Sequence, residues 1–209
     1  MLSPITRVTA AAAPLDIAKI DTGMIVPVRF QRLRRRAGEP DNARVFLHDL
    51  RFDESGQPRH EFVLNHPAYR EAAILVAGAD FGCGSSRESA AYAVLDYGIR
   101  VLIAESFGDV FAANCMQNGV LPVVLPPIVV HALWRQLRAA PGVSMQVDLE
   151  AQTVTAPDGT QYRFDIDATR KERLLKGLDD VGVTLQHMHE IETFERRRRA
   201  AMTWLPSIR

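Results

Sequence analysis

The residues best equipped for chemistry stand together at Phe81-Gly82-Cys83-Gly84-Ser85-Ser86-Arg87-Glu88. Glycines let a backbone approach a ligand closely. A strand-to-helix turn also leaves unpaired N–H groups and the positive end of the helix pointing outward, which favours a bound carboxylate or phosphate. Two hydroxyls and a guanidinium follow the glycines here. A serine hydroxyl is a poor base in water, but beside a fixed Arg and a helix N-terminus its alkoxide is stabilised, so in a dry site such a serine could take a proton. Ser85-x-x-Glu88 is equally a capping box that merely starts a helix, and the pattern alone leaves both readings open. Its spacing matches neither the P-loop nor the dinucleotide fingerprint.

A second concentration of charge lies at Arg29 to Arg36, five arginines among eight residues, followed by Ala37-Gly38-Glu39-Pro40-Asp41-Asn42. This composition resists burial and is rich in turn formers, so residues 31–42 read as an exposed basic loop, either a solvated charge run or an anion-binding loop. The six histidines offer partners for a Ser-His-Asp triad. Their pairing cannot be assigned by spacing, and the glycine loop lacks the G-x-S-x-G elbow. His48, His60, His66 and His131 read as surface or capping residues. His187 and His189 flank one residue and lack a third ligand, so a metal site there is rejected. Cys83 could be a low-pKa thiol at a helix N-terminus; the favoured reading makes it a small loop residue and Cys115, at i+4 from Phe111, a core residue. Two cysteines are too few for a disulfide scaffold, for an iron-sulfur cluster or for a structural zinc set, and suit a reduced, intracellular protein.

The elements that must position the loop follow from the apolar pattern. Ala72 to Gly78 is a continuous apolar run of strand length, suited to a buried parallel strand. The glycine loop comes next, then helical spacing from Arg87 to Tyr97 stopped by Gly98. A strand at residues 100–104, a helix from Asp109 to Asn118 and a strand from Val120 to Leu125 complete a βαβαβ run, and residues 128–139 form a further helix. Upstream, residues 1–30 read as strand and turn, ending in apolar Met24 to Val28, and Val45 to Leu50 reads as a strand. Downstream, alternating segments at Met145 to Leu149 and Tyr162 to Ile166, with Pro157-Asp158-Gly159 and a further alternating segment between them, read as a β-hairpin. Asp167 caps a helix that runs to Gly177, and a last helix spans about His189 to Trp204, its four consecutive arginines forming a solvated face.

Composition is that of an ordinary globular protein: 47% hydrophobic and 24% charged residues, with 25 basic and 25 acidic side chains giving a net charge of zero. No global field exists to attract nucleic acid or an anionic membrane. The opening segment makes a poor signal or transit peptide, and no stretch approaches the roughly 18 apolar residues of a spanning helix. The expected location is the cytoplasm. No repeat or dividing linker is visible, so residues 1–209 read as one α/β domain with the basic loop at 31–42 and a helical extension at 167–209.

Gly78 to Glu88, Asp96-Tyr97-Gly98, Phe107-Gly108-Asp109-Val110-Phe111 with Asn114-Cys115, and Asn118 to Pro122 together resemble the small subunit of 3-isopropylmalate dehydratase, a relative of the aconitase C-terminal domain. The resemblance extends to Ala12 to Asp16, Asp21-Thr22, Phe62 to Asn65, Arg170-Lys171-Glu172 and Gly177 to His187, and so covers nearly the whole chain. It implies a swivelling β/β/α domain paired with a separate large subunit that carries a 4Fe-4S cluster, with no cofactor on this chain. It further implies isomerisation of 2- and 3-isopropylmalate in leucine biosynthesis, with Ser85 as the base and Ser86, Arg87 and Arg36 holding substrate carboxylates. Three positions depart from the family pattern. Gly23 replaces the second Asp of Asp-Thr-Asp, Ala37 replaces the Thr of Arg-Thr-Gly, and Ser89 stands where a His commonly follows Ser-Ser-Arg-Glu. These departures bring forward two alternatives: a paralogue acting on another substituted malate, and a non-catalytic binding module.

Overall fold

A computed structural model describes residues 2–30, 43–84, 87–202 and 204. Its centre is a seven-stranded sheet in the order β4-β3-β2-β1-β5-β6-β7. The parallel part comprises β1 (Arg7–Leu15), β2 (Ile74–Ala77), β3 (Val101–Ala104) and β4 (Leu121–Val124); β5 (Ser144–Asp148), β6 (Thr153–Thr155) and β7 (Gln161–Arg163) are antiparallel. The pivot is β1. Its first half, Arg7 to Ala11, pairs antiparallel with β5, and its second half, Ala12 to Leu15, pairs parallel with β2. Pro14 falls beyond the β5 pairing and Pro122 on the edge strand β4, positions where a missing N–H costs the ladder least.

Strand side chains alternate between two cores. Leu75, Ala77, Leu102 and Ala104 join one buried cluster with Ala90, Val94, Phe111 and Cys115, from α3 (Glu88–Tyr97) and α4 (Asp109–Gln117). Ile74, Val76, Val101, Ile103 and Val123 face the other, with Val130, Leu133 and Leu137 of α5 (Pro127–Ala139) and Leu174 of α6 (Ala168–Lys176). Burial on both faces is why β2 and β3 read as unbroken apolar runs. Successive turns of α5 meet the carboxyl ends of three strands: His131 pairs with Glu105 beyond β3, Trp134 donates to the Val76 carbonyl on β2 at 2.8 Å, and Arg138 pairs with Asp16 beyond β1.

Two expected strands are helical turns instead. Residues 24–28 are entered through α1 (Thr22–Ile25), because the Asp21 carboxylate accepts from Met24 N at 2.8 Å and caps a helical turn. Val45 to Leu50 passes through a turn into α2 (His48–Arg51), with Leu47 in the left-handed region at φ 51°. Val45, Phe46 and Leu47 are apolar because that turn is buried, and Leu47 N donates to Ile25 O at 2.9 Å. The expected hairpin is a three-stranded meander, its middle strand being the further alternating segment. Asp167 caps α6 as expected, with Gly177 closing it at φ 63°. A separate short helix, α7 (Asp180–Leu185), precedes α8 (Met188–Ala201), which buries none of its residues.

Candidate active site

In open parallel sheets, ligands bind beyond the carboxyl ends of the strands. Loops leaving β1, β2 and β3 converge there, and the glycine loop after β2 lies between the other two. Gly82 N donates to Ile20 O at 2.7 Å and Cys83 O accepts from Thr22 N at 3.1 Å, which stitches the loop to the segment after β1. Phe81 N donates to Ser106 O at 3.1 Å and Phe81 O accepts from Gly108 N at 3.0 Å, which stitches it to the segment after β3. Beneath these bonds Phe81 is fully buried, edge-on to the rings of Phe107 and Phe111.

Two glycines are required by this arrangement. Gly82 has φ +74°, and a Cβ there would lie 2.2 Å from ring carbons of Phe111. At Gly108 a Cβ would lie 2.4 Å from the Gly82 carbonyl oxygen. Glycine thus brings the backbone onto an aromatic floor and a neighbouring loop, and the turn continues through Gly84 at φ +87°.

The loop ends at α3, whose N-cap is Arg87 in extended conformation (φ −129°, ψ 114°), with Glu88 as the first helical residue. A capping box would make Ser85 the cap and Glu88 the third residue. The helix starts at Glu88, too late for that. Glu88 instead accepts from Asn118 Nδ2 at 3.3 Å, tying the start of α3 to the end of α4. Of the four expected site residues, Arg87 is half-buried at this helix start, whereas Ser85, Ser86 and Arg36 lie outside the described residues, as does the whole basic loop at 31–42.

The flanks of that basic segment are well anchored. Arg29 pairs with Asp49 and lies over the Phe30 ring, holding the Asp49 carboxyl below the usual carboxylate range. On the far side, Arg51 donates to the carbonyls of Ala43 and Phe46, both at 3.1 Å, and lies over the rings of Phe52 and Tyr97. Burial lowers the pKa of its guanidinium. Phe30, Ala43, Arg51, Phe52 and Tyr97 open onto a cavity of about 740 Å³ that His48 also lines. Sequence reading missed Arg51, because nothing in its local pattern marks it as a clamp.

Gly23 is the second residue of α1, and a Cβ there would lie 3.1 Å from Asp21 Oδ1. An aspartate at this position would bring a second carboxylate toward the one that caps α1. Ser89 is half-buried in the first turn of α3. His66 is a cap, accepting from Ala68 N at 3.2 Å, and His131 stacks on Trp134 while pairing with Glu105. His48 is half-buried between the rings of Phe30 and Phe52, more enclosed than a surface residue. His187 and His189 are exposed. No helix among the described residues is long and apolar enough to cross a membrane.

The thiols bear on any cluster. Cys115 is fully buried and burial pushes its thiol far up, so it is held as a neutral core side chain. Cys83 is half-buried on the loop, and no group of three potential metal ligands exists among the described residues. An iron-sulfur cluster draws on three or four thiolates. One buried neutral thiol and one loop thiol do not fit such a group.

The chain is similar to known proteins over most of its length. The family model described as the aconitase C-terminal domain matches residues 3–127, LeuD_N matches 131–168, and the model for the C-terminal domain of the 3-isopropylmalate dehydratase small subunit matches 180–208. The 3-isopropylmalate dehydratase small subunit of Phenylobacterium zucineum is 50% identical over 200 residues, spanning 96% of this chain and 97% of its own length. The protein of that name from Cereibacter sphaeroides is 46% identical, spanning 96% and 98%. A crystal structure of 3-isopropylmalate dehydratase from Methanocaldococcus jannaschii superposes with a TM-score of 0.63 at 21% identity, covering 90% of this chain and 99% of that one, a likeness of fold.

Proposed function

Because this chain belongs to the family of 3-isopropylmalate dehydratase small subunits and carries the aconitase C-terminal fold, we propose that it works with a large subunit as a hydro-lyase. The complex interconverts 2-isopropylmalate and 3-isopropylmalate in leucine biosynthesis, in the cytoplasm, with residues 1–209 acting as one swivelling domain. The observation that carries this reading is the glycine loop clamped at the carboxyl edge of the sheet, which the chain joins through Ser85, Ser86 and Arg87 to the start of α3.

The chemistry assigned to this chain concerns the proton and the carboxylates. Ser85, as alkoxide, accepts the proton from the carbon next to a substrate carboxylate. The electron pair of that C–H bond forms the new C=C bond, and the hydroxyl of the adjacent carbon departs as hydroxide. Readdition of hydroxide with the opposite regiochemistry, and return of the proton from the Ser85 hydroxyl to carbon, gives the other isomer and restores the alkoxide. Ser86, Arg87 and Arg36 hold the carboxylates and offset the charge that develops on them. A 4Fe-4S cluster belongs on the large subunit in this account, and no step assigned to this chain passes through it.

Ser85→Ala tests the reading in the reconstituted complex. Turnover is expected to fall by a factor of about 1,000 or more while complex formation is retained. Undiminished turnover would remove Ser85 from the base role. The departures at Gly23, Ala37 and Ser89 favour a second reading, the same chemistry on another substituted malate, and a panel of alkylmalates separates the two by relative kcat/KM.

A further inference from the structure

The terminal helix α8 carries an aromatic ring midway between two opposite charges, all three exposed. The helix buries no residue, and Phe194 at its middle is 65% exposed. Glu190 stands one helical turn before Phe194 and Arg198 one turn after it, so the three side chains leave the helix on one face. Other charges of α8 find partners within the helix. Glu195 pairs with Arg199 at 3.5 Å, and Arg196 donates to the Glu192 carbonyl at 3.4 Å and to the Thr193 hydroxyl at 3.2 Å. Glu190 and Arg198 cannot pair inward at that spacing, because the position four residues inward from each is Phe194. Among the described residues Glu190 faces His187 at 4.0 Å, and the Arg198 side chain has no hydrogen-bond or ion-pair partner. An acidic first half and a basic second half also suit a lone helix, whose dipole they complement. That explains the order of the charges and leaves the exposed ring between them unexplained.

This face is complementary to itself. Two copies of α8 laid antiparallel about a twofold axis at Phe194 bring Glu190 of each copy against Arg198 of the other, with ring against ring between the two pairs. A parallel pairing would instead set Glu190 against Glu190 and Arg198 against Arg198, which repel. Ile191, three residues before Phe194, then falls opposite Arg197, whose aliphatic stem covers it. We propose that this face of α8 is a contact between two copies of this chain, an isologous pairing that joins one small subunit to another. The proposal goes beyond the hydro-lyase reading and does not rest on it. A helix of 14 residues is about 21 Å long, so the contact is small and the dimer weak and concentration-dependent. Its two exposed ion pairs make it sensitive to salt.

The test is analytical ultracentrifugation of the full-length chain from about 1 to 200 µM, the range in which a small interface populates a dimer. Monomer is expected to give way to dimer as concentration rises, and the dimer to weaken as salt is added. Glu190→Arg and Arg198→Glu each set like charges against one another at both pairs, and each should raise the dissociation constant about tenfold or more. Phe194→Ala should weaken the dimer similarly. Since all three positions are exposed, the variants should keep the wild-type melting temperature. Mixing the two charge variants brings opposite charges together again at both pairs and should restore dimerisation, as should the double exchange on one chain. A chain that stays monomeric throughout overturns the proposal. So does a dimer indifferent to the charge reversals, or a loss that mixing does not recover. A monomeric chain whose complex with the large subunit is broken by Glu190→Arg would also overturn it, and would give this face to that subunit.

Discussion

Gly82 shows how much of the site depends on the absence of one carbon. Its carbonyl lies against Gly108 and its α-carbon against the Phe111 ring, so a methyl group at position 82 must displace either the ring or the loop. Gly82→Ala should cost about 2–4 kcal/mol, from the positive φ and overpacking together, read as a lower denaturant midpoint with unchanged slope. A change within a few tenths of a kcal/mol would mean that the loop has room it is not seen to have. At this scale the sequence was informative where the constraint is local: the glycines between an apolar run and a helical pattern announce a tight strand-to-helix turn, and Gly82 and Gly84 take positive φ there. Asp80 and Ser106, whose backbone N–H and hydroxyl oxygen are joined by a hydrogen bond of 2.8 Å, were invisible by the same logic. They are separated by 26 residues and meet only because β2 and β3 are neighbours, which no local pattern encodes. Whether α3 begins at Ser86, as a capping box would require, or at Glu88 also needed the structure.

Among the elements, the strands and helices from β2 to α6 were legible because both faces of the parallel strands are buried and each helix is stopped by a glycine or a cap. The errors lie at residues 24–28 and 45–50. Both are short apolar runs, and such runs cannot be distinguished from buried turns by periodicity; the Asp21 cap and the left-handed Leu47 decide the matter. The junction of β1 with β5 makes a prediction of its own. Asp148 is largely buried, and its carboxyl is held below the ordinary range, first by the backbone N–H of Ala151 at 2.8 Å and then by Arg7 at 2.7 Å. A carboxyl with a depressed folded-state pKa contributes stability above its unfolded value and loses it as pH falls through the folded value. Asp148→Asn should therefore be less stable than wild type by about 1–2 kcal/mol at neutral pH, discounted for the exposure of Arg7. The gap should close as pH falls below about 4. A gap that persisted into acid would assign the loss to packing rather than to charge.

The molecule as a whole is neutral, and its terminal helix, α8, contributes no buried residue. Phe194 and Trp204 at that end are largely exposed. Under the proposed function this chain supplies the proton acceptor and the carboxylate-binding groups, and the cluster belongs to the large subunit, since one buried neutral thiol and one loop thiol do not suit it. On that account the isolated chain is inert, and activity belongs to the pair. The most direct measurement is an anaerobic assay of this chain with the large subunit from the same organism, after iron-sulfur reconstitution, following the absorbance of the unsaturated alkylmaleate formed from 2- or 3-isopropylmalate. Turnover that requires both chains is the predicted result. A complex that forms, carries its cluster and turns over neither isomer would contradict the assignment.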